Sequence, residues 1–90
     1  MNFQSKKVKV NCRIGARHAS NISLEAQKLK SVINISKDDD ESRRVNMKST
    51  LGLLSLSIYP CDKVVVNVSN ENEEQAKEDS ERITYYLKNL

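Results

Sequence analysis

The sequence predicts an α+β fold of two layers, with one four-stranded antiparallel sheet covered on one face by helices. Three observations carry this reading. Four short stretches read as strands, by period-two alternation or by β-branched content. Two stripes at helical spacing run from Ala19 to Leu29 and from Ala76 to Leu90. The segments follow the order β-α-β-β-α-β-α, which stacks helices on one side of a single sheet. Ninety residues are expected to form one domain, 1–90, small but able to fold alone.

Met1 to Ser5 reads as a short entry. From Lys7 to Cys12, Val8, Val10 and Cys12 alternate with Lys7, Lys9 and Asn11, which predicts a half-buried strand. A turn at Gly15 opens a helix near Ala16. Its stripe is Ala19, Ile22, Ala26 and Leu29, and Leu24 falls at its periphery. Val32 to Ile35 is a second strand. The run from Lys37 to Ser42, with four consecutive acids at Asp38 to Glu41, is expected to be a solvated connector. It lacks the alternate ligand spacing and closing Glu of a calcium loop, so no metal is assigned to it. Arg43 to Met47 is a third strand, with Val45 and Met47 facing one way.

Lys48 to Leu56 is too short and too rich in Leu for a surface strand. A short helix fits, with Ser49 near its N-terminus and Leu53 and Leu56 turned to the core. Leu51 and Leu54 then form an exposed apolar patch. Tyr59-Pro60-Cys61-Asp62 reads as a turn, and Val64, Val66 and Val68 alternate in a fourth strand. Asn70 to Glu73 has the Asn-x-x-Glu spacing of a capping box. The long C-terminal helix that follows carries Ala76, Ser80, Ile83, Leu87 and Leu90 on one stripe.

Composition narrows the function. Fifteen cations against twelve anions give a net charge of +3, with no basic run longer than two residues, so direct nucleic-acid binding is not expected. No apolar run is long enough to span a membrane and no signal peptide is seen, so a cytoplasmic location without membrane insertion is expected. Cys12 and Cys61 follow no metal-ligand spacing and are expected to be reduced thiols.

The turn itself, Arg13-Ile14-Gly15-Ala16-Arg17-His18-Ala19-Ser20, combines bare helix-start N–H groups with a guanidinium suited to phosphate. Its core resembles the active-site signature of HPr, the histidine-containing phosphocarrier family of the bacterial sugar phosphotransferase system, which reads Gly-Ile-His-Ala-Arg-Pro-Ala. A second block, Val45 to Leu56, resembles that family's regulatory segment around a phosphorylatable serine. The resemblance covers nearly the whole chain and implies the family's open-faced β-sandwich. It also implies that the acidic connector is about three residues longer than the tight hairpin turn common in the family.

Set against the family pattern, Gly15 stands where the phospho-accepting His is expected and His18 where Pro is expected. Gly15 has no nucleophile, so no catalytic residue is assigned, and its expected role is to ease the strand-to-helix turn. His18 remains a possible phosphoacceptor, about 4.5 Å further along the helix. Gly15, Ala16 and Arg17 are expected to bind an anion, and Arg17 matches the family Arg that assists at the phosphohistidine. Ser49 matches the serine modified by HPr kinase, and a phosphate there would suit a helix N-terminus. Unmodified, Ser49 would serve as an N-cap.

Arg17, Lys48, Thr50, Leu51 and Leu54 are expected to contact partners, with Lys48 also able to hold a phosphate on Ser49. The implied function is a non-enzymatic regulator, similar in logic to the catabolite-repression HPr proteins, which keep the Ser and replace the His, usually by Gln. Its expected partners are an HPr kinase, a transcriptional regulator and enzymes of the phosphotransferase system. No cofactor is expected. The alternatives are a phosphocarrier using His18, or a degenerate HPr-fold binding module.

Overall fold

Burial alternates along the edge strand β1 (Asn2–Lys9), whereas the interior strand β4 (Lys63–Asn70) is buried on both faces at Val64, Val65 and Val66. β4 puts Val64, Val66 and Val68 on one buried face. β1 and β2 (Val32–Lys37) flank it, both antiparallel, and β3 (Asp40–Asn46) pairs with β2, giving the order β1-β4-β2-β3. The helices are α1 (Ala16–Gln27), α2 (Thr50–Ser55) and α3 (Glu73–Lys88). They bury Ile22, Ala26, Leu53, Ile83 and Leu87 against the sheet face that carries Val8, Ile33 and Ile35. This is the predicted α+β layer order, β-α-β-β-α-β-α, with the aliphatic core that scarce aromatics require. The computed structural model describes residues 2–90.

Several boundaries differ from the sequence reading. The first strand begins at Asn2 and ends at Lys9, where Lys7 to Cys12 was expected. Its polar first half gave no alternation signal, yet Asn2 to Ser5 pair in register with Asn70 to Asn67. The expected entry segment is therefore strand from Asn2 onward, and Met1 lies outside the described residues. Past Lys9, Val10 still bonds to the turn at Cys61 and Asp62 before the chain bends at Cys12.

The acidic connector is mostly strand. Only Asp38 and Asp39 form the turn, and Lys37 pairs with Asp40 across it. Ile35 pairs with Val45, so Ser36 alone faces residues 41 to 44, four where a regular ladder has one. The expected loop is therefore a two-residue turn followed by a bulge in β3. Exposure of the bulged residues on an edge strand explains their polar character.

The cap of α3 also moves. Asn72, not Asn70, is the N-cap, and its side chain accepts from the Gln75 amide at 3.1 Å. Asn70 ends β4, and its side-chain Oδ1 accepts from the Asn72 amide. Two Asn residues two apart make the register of such a box ambiguous from sequence. α1 starts at Ala16 as expected but stops at Gln27, with Leu29 buried just beyond it.

Candidate functional site

Two of the sequence-chosen clusters lie on the paired surface of α1 and α2. At the start of α1, Gly15 is the N-cap, with extended backbone (φ −86°, ψ −168°) and no side-chain cap. The Ala19 amide bonds to the Gly15 carbonyl at 2.9 Å, which leaves the amides of Ala16, Arg17 and His18 without an intrahelical acceptor. No acid lies in that first turn. Arg17 is exposed and His18 half-buried, and neither enters an ion pair among the described residues. The turn is fixed by the Ile14 amide, which donates to the Ile58 carbonyl at 3.0 Å.

Gly15 does not owe its place to turn geometry. Its φ is one that any residue adopts, and a Cβ built there meets nothing within 4 Å. The expectation that Gly eases the turn is therefore corrected: the backbone would accept a residue with a Cβ.

At the start of α2, Ser49 is the N-cap in extended backbone. Its Oγ accepts from the Gly52 amide at 3.1 Å, and its carbonyl accepts from Leu53. The preceding backbone is held from two sides. Toward β3, the Lys48 amide bonds to Asn46 Oδ1 and the Ser49 amide to the Asn46 carbonyl. Toward α1, the Lys48 carbonyl accepts from Ser23 Oγ at 2.7 Å and from Gln27 Nε2 at 3.2 Å. Lys48 Nζ donates to the Leu29 carbonyl at 3.0 Å, just past the C-terminal end of α1. The ammonium expected to hold a phosphate on Ser49 thus lies on a different partner.

Leu51 is 80% exposed, while Leu54 is half-buried and packs against the core. The expected two-leucine patch reduces to Leu51, because α2 is only six residues long and Leu54 turns with Leu53 toward the sheet. Thr50 opens α2. The two clusters do not form one pocket. Ser49 lies beside the C-terminal half of α1 through Ser23 and Gln27, whereas Arg17 is six residues back, roughly 9 Å along the helix. Hollows of about 220 and 380 Å³ lie instead along α1 and α3, lined in part by Glu25, Lys28 and Tyr86.

Ser23 and Gln27 were not anticipated. The signal was present: Ser23 sits four residues after Ala19 and three before Ala26, a polar residue inside an apolar stripe. No group of three or more His, Cys, Asp or Glu side chains suited to a metal occurs among the described residues, and no helix is long and apolar enough to cross a membrane.

Residues 4–84 match the family described as the PTS HPr component phosphorylation site. This chain belongs to the HPr family. Among solved structures it resembles the phosphocarrier protein HPr from Bacillus anthracis, with 27% identity over 97% of this chain and 99% of that one and a TM-score of 0.83. It also resembles Crh, the Bacillus subtilis catabolite repression HPr, at 27% identity, the same coverage and a TM-score of 0.63. HPr-C-His from Thermoanaerobacter tengcongensis, at 24% identity, a TM-score of 0.68 and 100% and 98% coverage, shares the fold. No curated protein sequence matches the chain. The family and the four-stranded, three-helix sandwich are thus those that the two sequence blocks implied.

Proposed function

We propose that this chain is a regulatory member of the HPr family, switched by phosphorylation of Ser49 rather than carrying phosphate for sugar uptake. The observation that carries the reading is the pair of family-like blocks on one surface, one with Gly15 at the expected acceptor position, the other with Ser49 capping α2 beside the exposed Leu51. A phosphate on Ser49 would add roughly −1.5 to −2 charges. With Lys48 Nζ on the Leu29 carbonyl, the opposing cation would come from the partner, and Leu51 would supply the apolar part of the contact. The partners proposed are an HPr kinase and a transcriptional regulator, in the cytoplasm.

Two measurements test this. Incubation with an HPr kinase and a nucleotide or pyrophosphate donor should modify Ser49, and Ser49→Ala should abolish the added mass. Incubation with phosphoenolpyruvate and the general phosphoryl-donor enzyme of the system should leave His18 unmodified. Stoichiometric phosphate on His18 would replace this reading with the carrier function. The same proposal keeps Gly15, Ala16 and Arg17 as a weak anion site, with millimolar affinity for inorganic phosphate. Titration should shift the amide resonances of residues 15 to 19, and unmoved resonances would exclude the site.

A further inference from the structure

Ser49 precedes a helix of only six residues, too short to hold its own position. Its placement comes from Asn46 at the end of β3, which takes the Lys48 and Ser49 amides, and from α1. Ser23 is 2% exposed, and a buried hydroxyl in an otherwise apolar stripe costs stability unless it is hydrogen-bonded. Here it is bonded twice, donating to the Lys48 carbonyl at 2.7 Å and accepting from Gln27 Nε2 at 2.9 Å. That carbonyl belongs to the Lys48–Ser49 peptide group, so fixing it fixes the plane from which the Ser49 side chain departs. Lys48 Nζ on the Leu29 carbonyl secures the same residue a second time.

The Ser49 hydroxyl itself accepts from Gly52 and has no acceptor for its own proton among the described residues. It is oriented by one bond and free to give up its hydrogen. We infer that Ser23 and Gln27, acting through Lys48, are positioning residues for phosphorylation of Ser49, so that the modified unit is Ser49 held against α1 rather than the α2 segment alone.

The inference rests on the Ser49 reading and adds its structural requirement. In the transfer, the Ser49 Oγ–P bond forms as the bond from that phosphorus to the leaving nucleoside diphosphate breaks. The hydroxyl proton passes to a base of the kinase. The clamp acts on the angle at which Oγ meets the phosphorus, so its loss should lower kcat and leave KM unchanged.

The test is steady-state phosphorylation by an HPr kinase with ATP, well below the melting temperature of each variant. Ser23→Ala should lower kcat about tenfold, the rate equivalent of one lost hydrogen bond. Asp79→Asn, which disturbs a buried network on α3 away from the clamp, should keep the wild-type kcat. Equal kcat for wild type and Ser23→Ala overturns the clamp while leaving Ser49 as the site. An equal fall in both variants assigns the effect to stability and also overturns it. Failure of wild type beside a modified authentic HPr overturns the Ser49 reading and the clamp together.

Discussion

The turn from Tyr59 to Asp62 is closed by the Asp62 amide, which bonds to the Tyr59 carbonyl at 3.1 Å. Pro60 makes it legible as a turn. The positive φ of 73° at Cys61 was not legible, because Cys is not a residue associated with the left-handed region. Pro at the second position and positive φ at the third define a type II turn, which favours Gly there. Val10 bonds to both Cys61 and Asp62, making the turn end in a bulge against β1. Cys61→Gly should therefore stabilise the fold by about 0.5–1 kcal/mol, the relief of left-handed strain less the added backbone entropy of Gly. Urea denaturation would show it as a raised midpoint with unchanged slope. Gly15 is the converse case, a glycine whose backbone does not require one.

At the scale of elements, type was easier to read than extent. Periodicity, β-branched content and the leucine-rich run of α2 together found every helix and strand. They misplaced the ends where an element is polar: the first half of β1, the bulged half of β3 and the approach to α3. The bulge in turn brings Arg43 to the Ser55 carbonyl at 3.0 Å, where it satisfies an end carbonyl of α2. The start of β4 depends on charge in a similar way. Asp62 accepts from the Tyr59 amide at 2.8 Å and pairs with Lys37 at 3.3 Å. The backbone bond first, then Lys37, outweighs desolvation and holds its carboxyl below the ordinary value of 3.8.

A depressed folded pKa contributes stability above the unfolded value, and that contribution fades as pH falls through the folded one. The stability gap between wild type and Asp62→Ala should therefore be constant from neutral pH down to about pH 5 and shrink below the ordinary carboxylate range. Urea melts at a series of pH values would measure it, and a gap that persists undiminished at the lowest pH would rule out the ionised carboxylate as its source.

For the whole molecule, the layer order followed from the succession of periodicities, and the two family-like blocks supplied the topology that periodicity alone leaves open. The polar tie across the layers was not legible. Asp79 is 1% exposed inside α3, at a position that reads as one more acid on a charged helix. Its Oδ2 accepts from the Ser31 amide at 3.0 Å and from Ser31 Oγ at 2.6 Å, and its Oδ1 from Gln75 Nε2 at 2.8 Å. Asn70 Nδ2 donates to the same Ser31 hydroxyl, so one carboxylate joins α3, the entry to β2 and the end of β4. No cation takes part among the described residues, so hydrogen bonds alone compensate its burial.

Removing the carboxylate leaves those donors buried without acceptors, the expensive way to lose a hydrogen bond. Asp79→Ala should cost about 2–3 kcal/mol, a large part of the stability of a small domain. Asp79→Asn keeps one acceptor oxygen and should cost less. Denaturation midpoints for the two variants should fall in that order below wild type. A loss under about 0.5 kcal/mol for Asp79→Ala, the level of an ordinary surface change, would mean that the layers are held by apolar packing alone.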